Sequence, residues 1–172
     1  MMEIIEDSPF HRGEQILQER AGVRERMERF GRKVIHDHLP EQHRAFYRQL
    51  PFVFVGHADK EGWPWASILF NQPGFIATND PRKMTINASP VVGDPLVNAL
   101  HRGTRLGLLG VELSTRRRNR VAAQIAGVSN DDVELQVAQA FGNCLQYIQR
   151  RELLTVEPQT MPAPVVERIC DL

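Results

Sequence analysis

Two adjacent cations beside a proline are the residues of this chain best suited to hold a charged group. Residues 79–83 read Asn-Asp-Pro-Arg-Lys, so Arg82 and Lys83 lie at a turn that closes a run of apolar residues. A guanidinium donates paired hydrogen bonds to phosphate oxygens, and an ammonium adds a point charge. The spacing therefore indicates a phosphate-binding turn. A pair of solvated turn residues is the alternative that composition alone favours.

The histidines and cysteines give no recognisable pattern of metal ligands or nucleophiles. His36, His38 and His43 match no zinc-ligand spacing, and we interpret them as surface residues near a helix break. His57 is interpreted as a turn residue at a strand end, with a position facing a ligand as the alternative. Cys144 is interpreted as a buried, inert thiol rather than an activated one. No metal site is predicted, and the catalytic residues stay unknown.

The charge balance excludes one class of function. The chain has 172 residues, with 21 Lys and Arg against 21 Asp and Glu, so its formal net charge is zero. Nucleic-acid binders carry a broad basic surface, so we expect no nucleic-acid partner. Residues 101–120 nevertheless hold six arginines and one acid, which suits a small anionic ligand unless the cluster is simply solvated. With no secretory signal and no long apolar run, we expect a cytoplasmic protein without a membrane partner.

Short β-branched and aromatic runs separated by Gly, Pro and Asp turns predict antiparallel strands. The predicted strands cover 52–57, 65–70, 75–78, 106–113, 120–128 and 133–137. The predicted helices cover 9–35, 41–50, 93–100 and 141–150. Strands joined by short turns favour an antiparallel barrel with helices on its outside. The predicted class is therefore a β-rich α+β fold with about six strands, N-terminal helices and a C-terminal helix.

Four segments, taken in order, resemble the pyridoxamine 5′-phosphate oxidase-like, FMN-binding split-barrel family. They cover 53–67, 74–83, 106–121 and 141–149, and the resemblance spans about residues 8–157. It implies a six-stranded antiparallel split β-barrel that forms a homodimer, with FMN at the interface. The implied divisions are an N-terminal helical extension (1–50), the FMN-binding split-barrel domain (51–157) and a Pro-rich C-terminal linker or tail (158–172).

The resemblance also implies which residues bind the cofactor. They are Trp65, Ala66, Ser67, Ile68, Thr78, Arg82, Lys83, Arg118 and Asn119. Arg82 and Lys83 would grip the phosphate, with the hydroxyl groups of Ser67 and Thr78 as donors. The backbone of 65–68 would run under the isoalloxazine edge, and residues 118 and 119 would reach the flavin from the partner subunit. A core aromatic remains the alternative for Trp65, and a hydroxyl bonded to a nearby carbonyl remains the alternative for Ser67.

The implied activity is that of an FMN-dependent oxidoreductase acting on a small-molecule substrate that stays unknown. Electrons would come from a nicotinamide nucleotide or from a partner reductase or reductase domain. The alternatives are a non-catalytic flavin- or haem-binding carrier or sensor module and, third, a dimerisation scaffold. The chain departs from its relatives at Ala122, Ala123 and Leu145, and it stops at Leu172, where relatives often continue. Pyridoxamine phosphate is not expected as the substrate, because residues 150–172 offer no counterpart of the family's substrate-binding Arg and His.

Overall fold

The computed structural model describes residues 7–130, 132–144 and 146–154, which form three α-helices followed by a β-sheet. The helices are α1 (Arg12–Arg20), α2 (Arg24–Val34) and α3 (Glu41–Arg48). The strands are β1 (Phe52–Ala58), β2 (Pro64–Phe70), β3 (Ile76–Ala77), β4 (Lys83–Asn87), β5 (Arg105–Glu112), β6 (Arg117–Ser129) and β7 (Asp132–Asn143). A 3-10 helix, Pro95–Ala99, stands between β4 and β5.

The strands form one antiparallel sheet in the order β2-β1-β5-β6-β7-β4-β3. The predicted α+β class with an antiparallel sheet is confirmed. The described residues form seven strands rather than the predicted six, because Met84 and Ile86 alternate inward to make β4. β2 and β3 are the edge strands, and no pairing among the described strands closes the sheet into a barrel.

Alternating burial positions the first hairpin. On β1 the side chains of Val53, Val55 and His57 are buried, and in the register of β2 they lie opposite Leu69, Ser67 and Trp65. The period of two puts these residues on the core side of the sheet and their sequence neighbours on the other side. Helix α3 covers the core with Phe46 and Tyr47, both at most 1% exposed. Helix α3 and the sheet therefore share one apolar core.

Two predicted helices differ from the structure. The charged segment 9–35 is two helices rather than one, because Gly22 adopts a positive φ of 66° and ends α1. The C-terminal helix predicted over 141–150 is wrong. Residues 141–143 continue β7, where Phe141 pairs with Arg120 on β6, and the described residues that follow are not helical. Non-local pairing with β6 thus overrides the helical spacing of this segment.

Three further predictions concern a short strand, a short helix and the C-terminal segment. The predicted strand over 75–78 shrinks to the two residues of β3, and the predicted helix over 93–100 is found as the 3-10 helix. The predicted C-terminal linker, 158–172, lies outside the described residues. Among the described helices, none has the length and apolar character needed to span a membrane.

Candidate functional site

The basic turn predicted from the sequence connects β3 to β4. Asp80 shapes it, because its side-chain oxygen accepts a 2.7 Å hydrogen bond from the backbone N–H of Arg82, while its carbonyl accepts one from Lys83. The side chain of Arg82 is 58% exposed, and its Nη2 lies 2.5 Å from a carboxylate oxygen of Asp37. Lys83 is exposed and makes no salt bridge among the described residues. The turn thus presents one paired and one unpaired cation to solvent.

A third cation supports this turn from helix α3. Arg44 donates a 3.3 Å hydrogen bond from Nη1 to the backbone carbonyl of Thr78, and it also pairs with Glu41 one turn earlier on the helix. Thr78 is fully buried, and its hydroxyl oxygen has no hydrogen-bond partner within the described part of the chain. A buried hydroxyl without a partner costs about 1–3 kcal/mol. The corner around Thr78, Arg82 and Lys83 therefore combines positive charge with an unsatisfied hydroxyl group.

Asp37 tempers this positive charge. A hydrogen bond with His38, followed by the nearby charge of Arg82, outweighs the desolvation of Asp37 and lowers the pKa of its carboxyl group. Asp37 is therefore an anion at neutral pH, and it accepts a hydrogen bond from one nitrogen of the Arg82 guanidinium. Because both side chains are about 60% exposed, the pair contributes little to stability and can exchange for another anion.

Ser67 is already engaged by another residue. Its hydroxyl donates a 2.6 Å hydrogen bond to the carboxylate of Asp94. The same carboxylate oxygen accepts a 2.8 Å hydrogen bond from the backbone N–H of Leu96 and caps the 3-10 helix. A serine hydroxyl has one proton to donate, so this proton is not available to a phosphate. The carboxylate next to it also disfavours a second anion there.

The other predicted residues of β2 face two directions. Trp65 is half-buried on the core side, and its indole N–H donates a 2.9 Å hydrogen bond to Asp59. It lines a cavity of about 900 Å³ with the β1–β2 turn, the 3-10 helix and the turn at 101–104. Ala66 and Ile68 are exposed on the opposite side of the sheet. Of the four residues predicted to lie under the flavin, two therefore face the core and two face outward.

Arg118 and Asn119 lie near the start of β6. The backbone carbonyl of Asn119 accepts a 2.8 Å hydrogen bond from the hydroxyl of Tyr47, and the Asn119 side chain is buried. Arg118 donates from Nη2 to the backbone carbonyl of Cys144, while its Nε is buried without a partner among the described residues. Both residues thus help to join the N-terminal helices and the end of β7 to the middle of the sheet.

The nine predicted residues therefore fall into three groups within one chain. Thr78, Arg82 and Lys83 meet at one turn, beside edge strand β3. The residues of β2 lie on the other edge strand, and those of β6 lie on a central strand. The hydrogen-bonded order of the sheet places no two of these groups on adjacent strands.

Sequence reasoning misjudged three residues. His57 is an inward-facing residue of β1 rather than a turn residue, and neither of its ring nitrogens has a hydrogen-bond partner among the described residues. His43 is 8% exposed rather than on the surface, because it lies on the core side of α3. Cys144 is an exposed free thiol rather than a buried one. The alternation of Val53, Val55 and position 57 was the available signal for the burial of His57.

Comparisons with known proteins give weak likenesses only. No protein-family model matches the chain, and no curated protein matches it. Among solved structures, tagged HupZ of Group A Streptococcus is 13% identical, with 66% of this chain and 99% of that chain covered and a TM-score of 0.47. A point variant of the same protein gives 12% identity, coverage of 61% and 99%, and a TM-score of 0.47.

A structure titled F420 Reductase is 8% identical, with 62% of this chain and 97% of that chain covered and a TM-score of 0.38. At TM-scores this low, the likenesses assign neither a family nor a function to the chain.

Proposed function

We propose that this chain is an FMN-dependent oxidoreductase that works as a homodimer of split-barrel subunits. The observation that carries the proposal is the turn between β3 and β4, where Arg82 and Lys83 are exposed side by side shortly after Thr78, whose buried hydroxyl has no partner among the described residues. In a chain with no net charge, such a corner suits the terminal phosphate of a small ligand rather than a long polyanion. The resemblance of this segment to the split-barrel family supports FMN as the ligand.

The residues of this turn fit a phosphate group. Lys83 makes no salt bridge among the described residues, so a phosphate dianion would be its first strong partner. Arg82 would exchange the carboxylate of Asp37 for phosphate oxygens, which carry more charge and accept paired hydrogen bonds. Thr78 remains the proposed hydroxyl donor, because its hydroxyl has no hydrogen-bond partner among the described residues. We leave Ser67 out of the proposed phosphate site, because its hydroxyl already donates its hydrogen bond to Asp94.

The flavin would supply the redox chemistry, and the protein would hold it and shape the face where a small-molecule substrate stacks. Trp65, Ala66 and Ile68 remain proposed neighbours of the ring system, with Arg118 and Asn119 reaching it from the other subunit. A nicotinamide nucleotide or a partner reductase remains the proposed electron donor. The substrate itself is not identified by these residues.

The outer face of the first hairpin supports a second copy as the partner. The outward residues of β1 include Phe52 and Phe54, and those of β2 include Ile68 and Phe70. Ile68 is 44% exposed and Phe70 is 58% exposed, and in the register of the hairpin they lie opposite Phe54 and Phe52. A two-stranded apolar surface of this kind on a water-facing sheet indicates an interface. Because Ala66 and Ile68 belong to this face, a dimer would bring the proposed flavin neighbours to the subunit boundary.

The phosphate site is tested by comparing FMN with riboflavin, which has the same ring system and no phosphate. Replacing Arg82 and Lys83 together by alanine should weaken FMN binding by roughly a hundredfold or more, since each charged hydrogen bond contributes about 1.5–3 kcal/mol. Riboflavin binding, measured by flavin fluorescence, should not change. The control replaces two exposed cations of α2, Arg26→Ala with Arg29→Ala, and should leave both affinities unchanged.

An equal loss of affinity for FMN and riboflavin, or no loss of affinity for either, would show that the phosphate binds elsewhere.

Turnover is tested separately on the FMN-loaded protein. Oxidation of a reduced nicotinamide nucleotide supports the oxidoreductase, whereas a yellow protein that is inert to every donor supports a carrier. A Soret band without a flavin spectrum would show that the protein binds haem rather than FMN. A protein that stays colourless in excess FMN would support the scaffold alternative.

A further inference from the structure

A second cavity lies between the N-terminal helices and the end of β7. It has a volume of about 520 Å³ and lies beside α2, the start of α3 and residues 141–143. Its apolar walls include the rings of Phe10, Phe30 and Phe141. Phe30 is 57% exposed, which is unusual for a large apolar side chain on a charged helix. The volume and the three rings suit a small molecule with a flat or branched apolar body.

One wall of this cavity depends on a glycine of α2. A Cβ atom at Gly31 would lie 2.4 Å from the ring carbon Cε2 of Phe10, so no other residue fits there unless the ring moves. The side chain of Phe10 therefore lies directly across the helix backbone and forms part of the cavity lining. The packing of the Phe10 ring against the α2 backbone at Gly31 therefore holds this wall of the cavity in place.

The cavity also contains a buried polar group without a partner. His43 lines the cavity and is 8% exposed, and its Nδ1 is buried with no hydrogen bond among the described residues. Burial, followed by the charges of His36 and Arg117, lowers the pKa of His43, so its ring is neutral near pH 7. A buried nitrogen without a partner costs about 1–3 kcal/mol, and a hydrogen bond with a ligand atom would recover this cost.

The charges around the cavity select the ligand. Lys33 lies at its rim, and the described residues that line it include His36 but no carboxylate. An anion would therefore meet one cation, two imidazole rings and no repulsive charge, whereas a cation would be repelled by Lys33. The apolar walls exclude a fully hydrated ion such as inorganic phosphate, because its desolvation would not be compensated there.

We propose that this cavity binds a small apolar monoanion, such as an aryl carboxylate, with its ring among Phe10, Phe30 and Phe141 and its carboxylate toward His43 and Lys33. The site is distinct from the proposed FMN turn: none of the nine predicted cofactor residues lines it. It therefore gives the chain a place for a substrate or an effector that is independent of flavin binding.

The first test uses 4-chlorobenzoate and its neutral isostere 4-chlorobenzamide on the unmodified protein. Titration followed by two-dimensional NMR should show saturable shifts of the His43 ring resonances with the carboxylate, at a Kd roughly tenfold or more below that of the amide. Equal affinity of the two compounds, or no saturation with either at millimolar concentration, would overturn the proposal. Because this comparison needs no variant, it does not depend on whether any substitution folds.

The second test removes the polar groups one at a time. His43→Phe keeps a planar ring of similar size and should lower the affinity for 4-chlorobenzoate by roughly tenfold. Lys33→Met keeps the apolar stem and should lower the same affinity by roughly threefold, since the Lys33 side chain is exposed. The control Lys60→Met removes an exposed lysine at the β1–β2 turn and should change nothing. Unaltered binding in both test variants would show that the carboxylate lies elsewhere, whatever happens to the affinity for FMN.

Discussion

The hydroxyl of Ser67 on β2 lies 2.6 Å from the carboxylate of Asp94, which caps the 3-10 helix before β5. This hydrogen bond ties an edge strand to a helix 27 residues later in the chain. It also uses the only proton of a hydroxyl that the sequence had suggested for phosphate. The polar residue inside the apolar run of β2 therefore has a structural partner, and the proposed phosphate site is limited to the turn beside the other edge strand, β3.

We expect Ser67→Ala to lower stability without changing phosphate recognition. Loss of a hydrogen bond to a charged but half-buried carboxylate should cost about 1.5 kcal/mol. Urea unfolding should show this loss, whereas exposed Ser114→Ala should unfold like the parent protein. The ratio of FMN to riboflavin affinity should stay constant. A fall in that ratio without a loss of stability would return Ser67 to the phosphate site.

Gly110 on β5 should be among the least replaceable positions of the sheet. A Cβ atom there would lie 2.7 Å from a ring carbon of Phe46 and 2.8 Å from atoms of Tyr47 and Leu50. All three side chains are at most 1% exposed, so they have no free space to move into. Gly110→Ala should therefore lower the free energy of unfolding by about 1–3 kcal/mol through overpacking.

The matched control for this change is Gly127→Ala on β6. A Cβ atom at Gly127 would lie 3.5 Å from a carboxylate oxygen of Glu134, which is an ordinary contact. Chemical unfolding of both variants should separate them by more than the error of the measurement. If the two glycine variants are equally stable, the packing of α3 against β5 is looser than the structure indicates.

Local patterns in the sequence predicted the strands and turns whose formation depends on residues adjacent in the chain. The apolar runs 52–57 and 65–70, bounded by turn residues, were enough to predict β1 and β2, whereas the structure shows which of their residues face inward. The turn at 79–83 was visible because Asp, Pro, Arg and Lys are adjacent. By contrast, residues 141–143 carry a helix-compatible spacing, and only their pairing with 118–120 on β6 makes them a strand.

The same limit applies to the candidate site. Arg44 contacts the carbonyl of Thr78 across 34 residues of sequence, and no local pattern predicts that contact. The partner of Ser67 was hidden for the same reason. Charged and polar types at a turn can be recognised from sequence, but the residue that neutralises or supports each of them is set by the tertiary fold.

A charge on the outer face of the first hairpin should separate the proposed dimer. Ile68→Asp introduces a carboxylate among Phe54, Phe52 and Phe70 without touching the core, because residue 68 points outward. Burying it at an interface would be strongly unfavourable, so the dimer should weaken by roughly a hundredfold or more. Sedimentation analysis should show a shift toward the mass of one chain. The control Val92→Asp changes a 75% exposed residue in the loop after β4 and should leave the mass unchanged.

The outcome for flavin distinguishes two models of the site. If the flavin lies at the subunit boundary, Ile68→Asp should reduce the affinity for riboflavin and for FMN together, because the ring system loses its neighbours. This differs from the phosphate-turn variant, which should affect FMN alone. A parent protein that is monomeric at every accessible concentration would remove the proposed interface.

Acid should destabilise the N-terminal helices through Glu28. This carboxylate is 8% exposed, accepts a 2.6 Å hydrogen bond from Ser8, and lies 2.8 Å from Arg24 and 2.7 Å from Arg32. Burial alone would raise its pKa, but the hydrogen bonds from Ser8 and Arg24 and the charges of both arginines outweigh burial, so the pKa is lowered. A lowered pKa means that the folded chain binds this proton less readily than the unfolded chain.

The contribution of Glu28 to stability is therefore complete above the ordinary pKa of 4.5 and is lost as the pH falls from there through the lowered value. Thermal unfolding measured between neutral pH and the acid range should show the parent protein losing more stability below pH 4.5 than Glu28→Gln does. At neutral pH the glutamine variant should be the less stable of the two, because it leaves Arg24 buried without its counter-ion. Parallel stability curves for the two proteins across this range would show that the ion pair contributes nothing to folding.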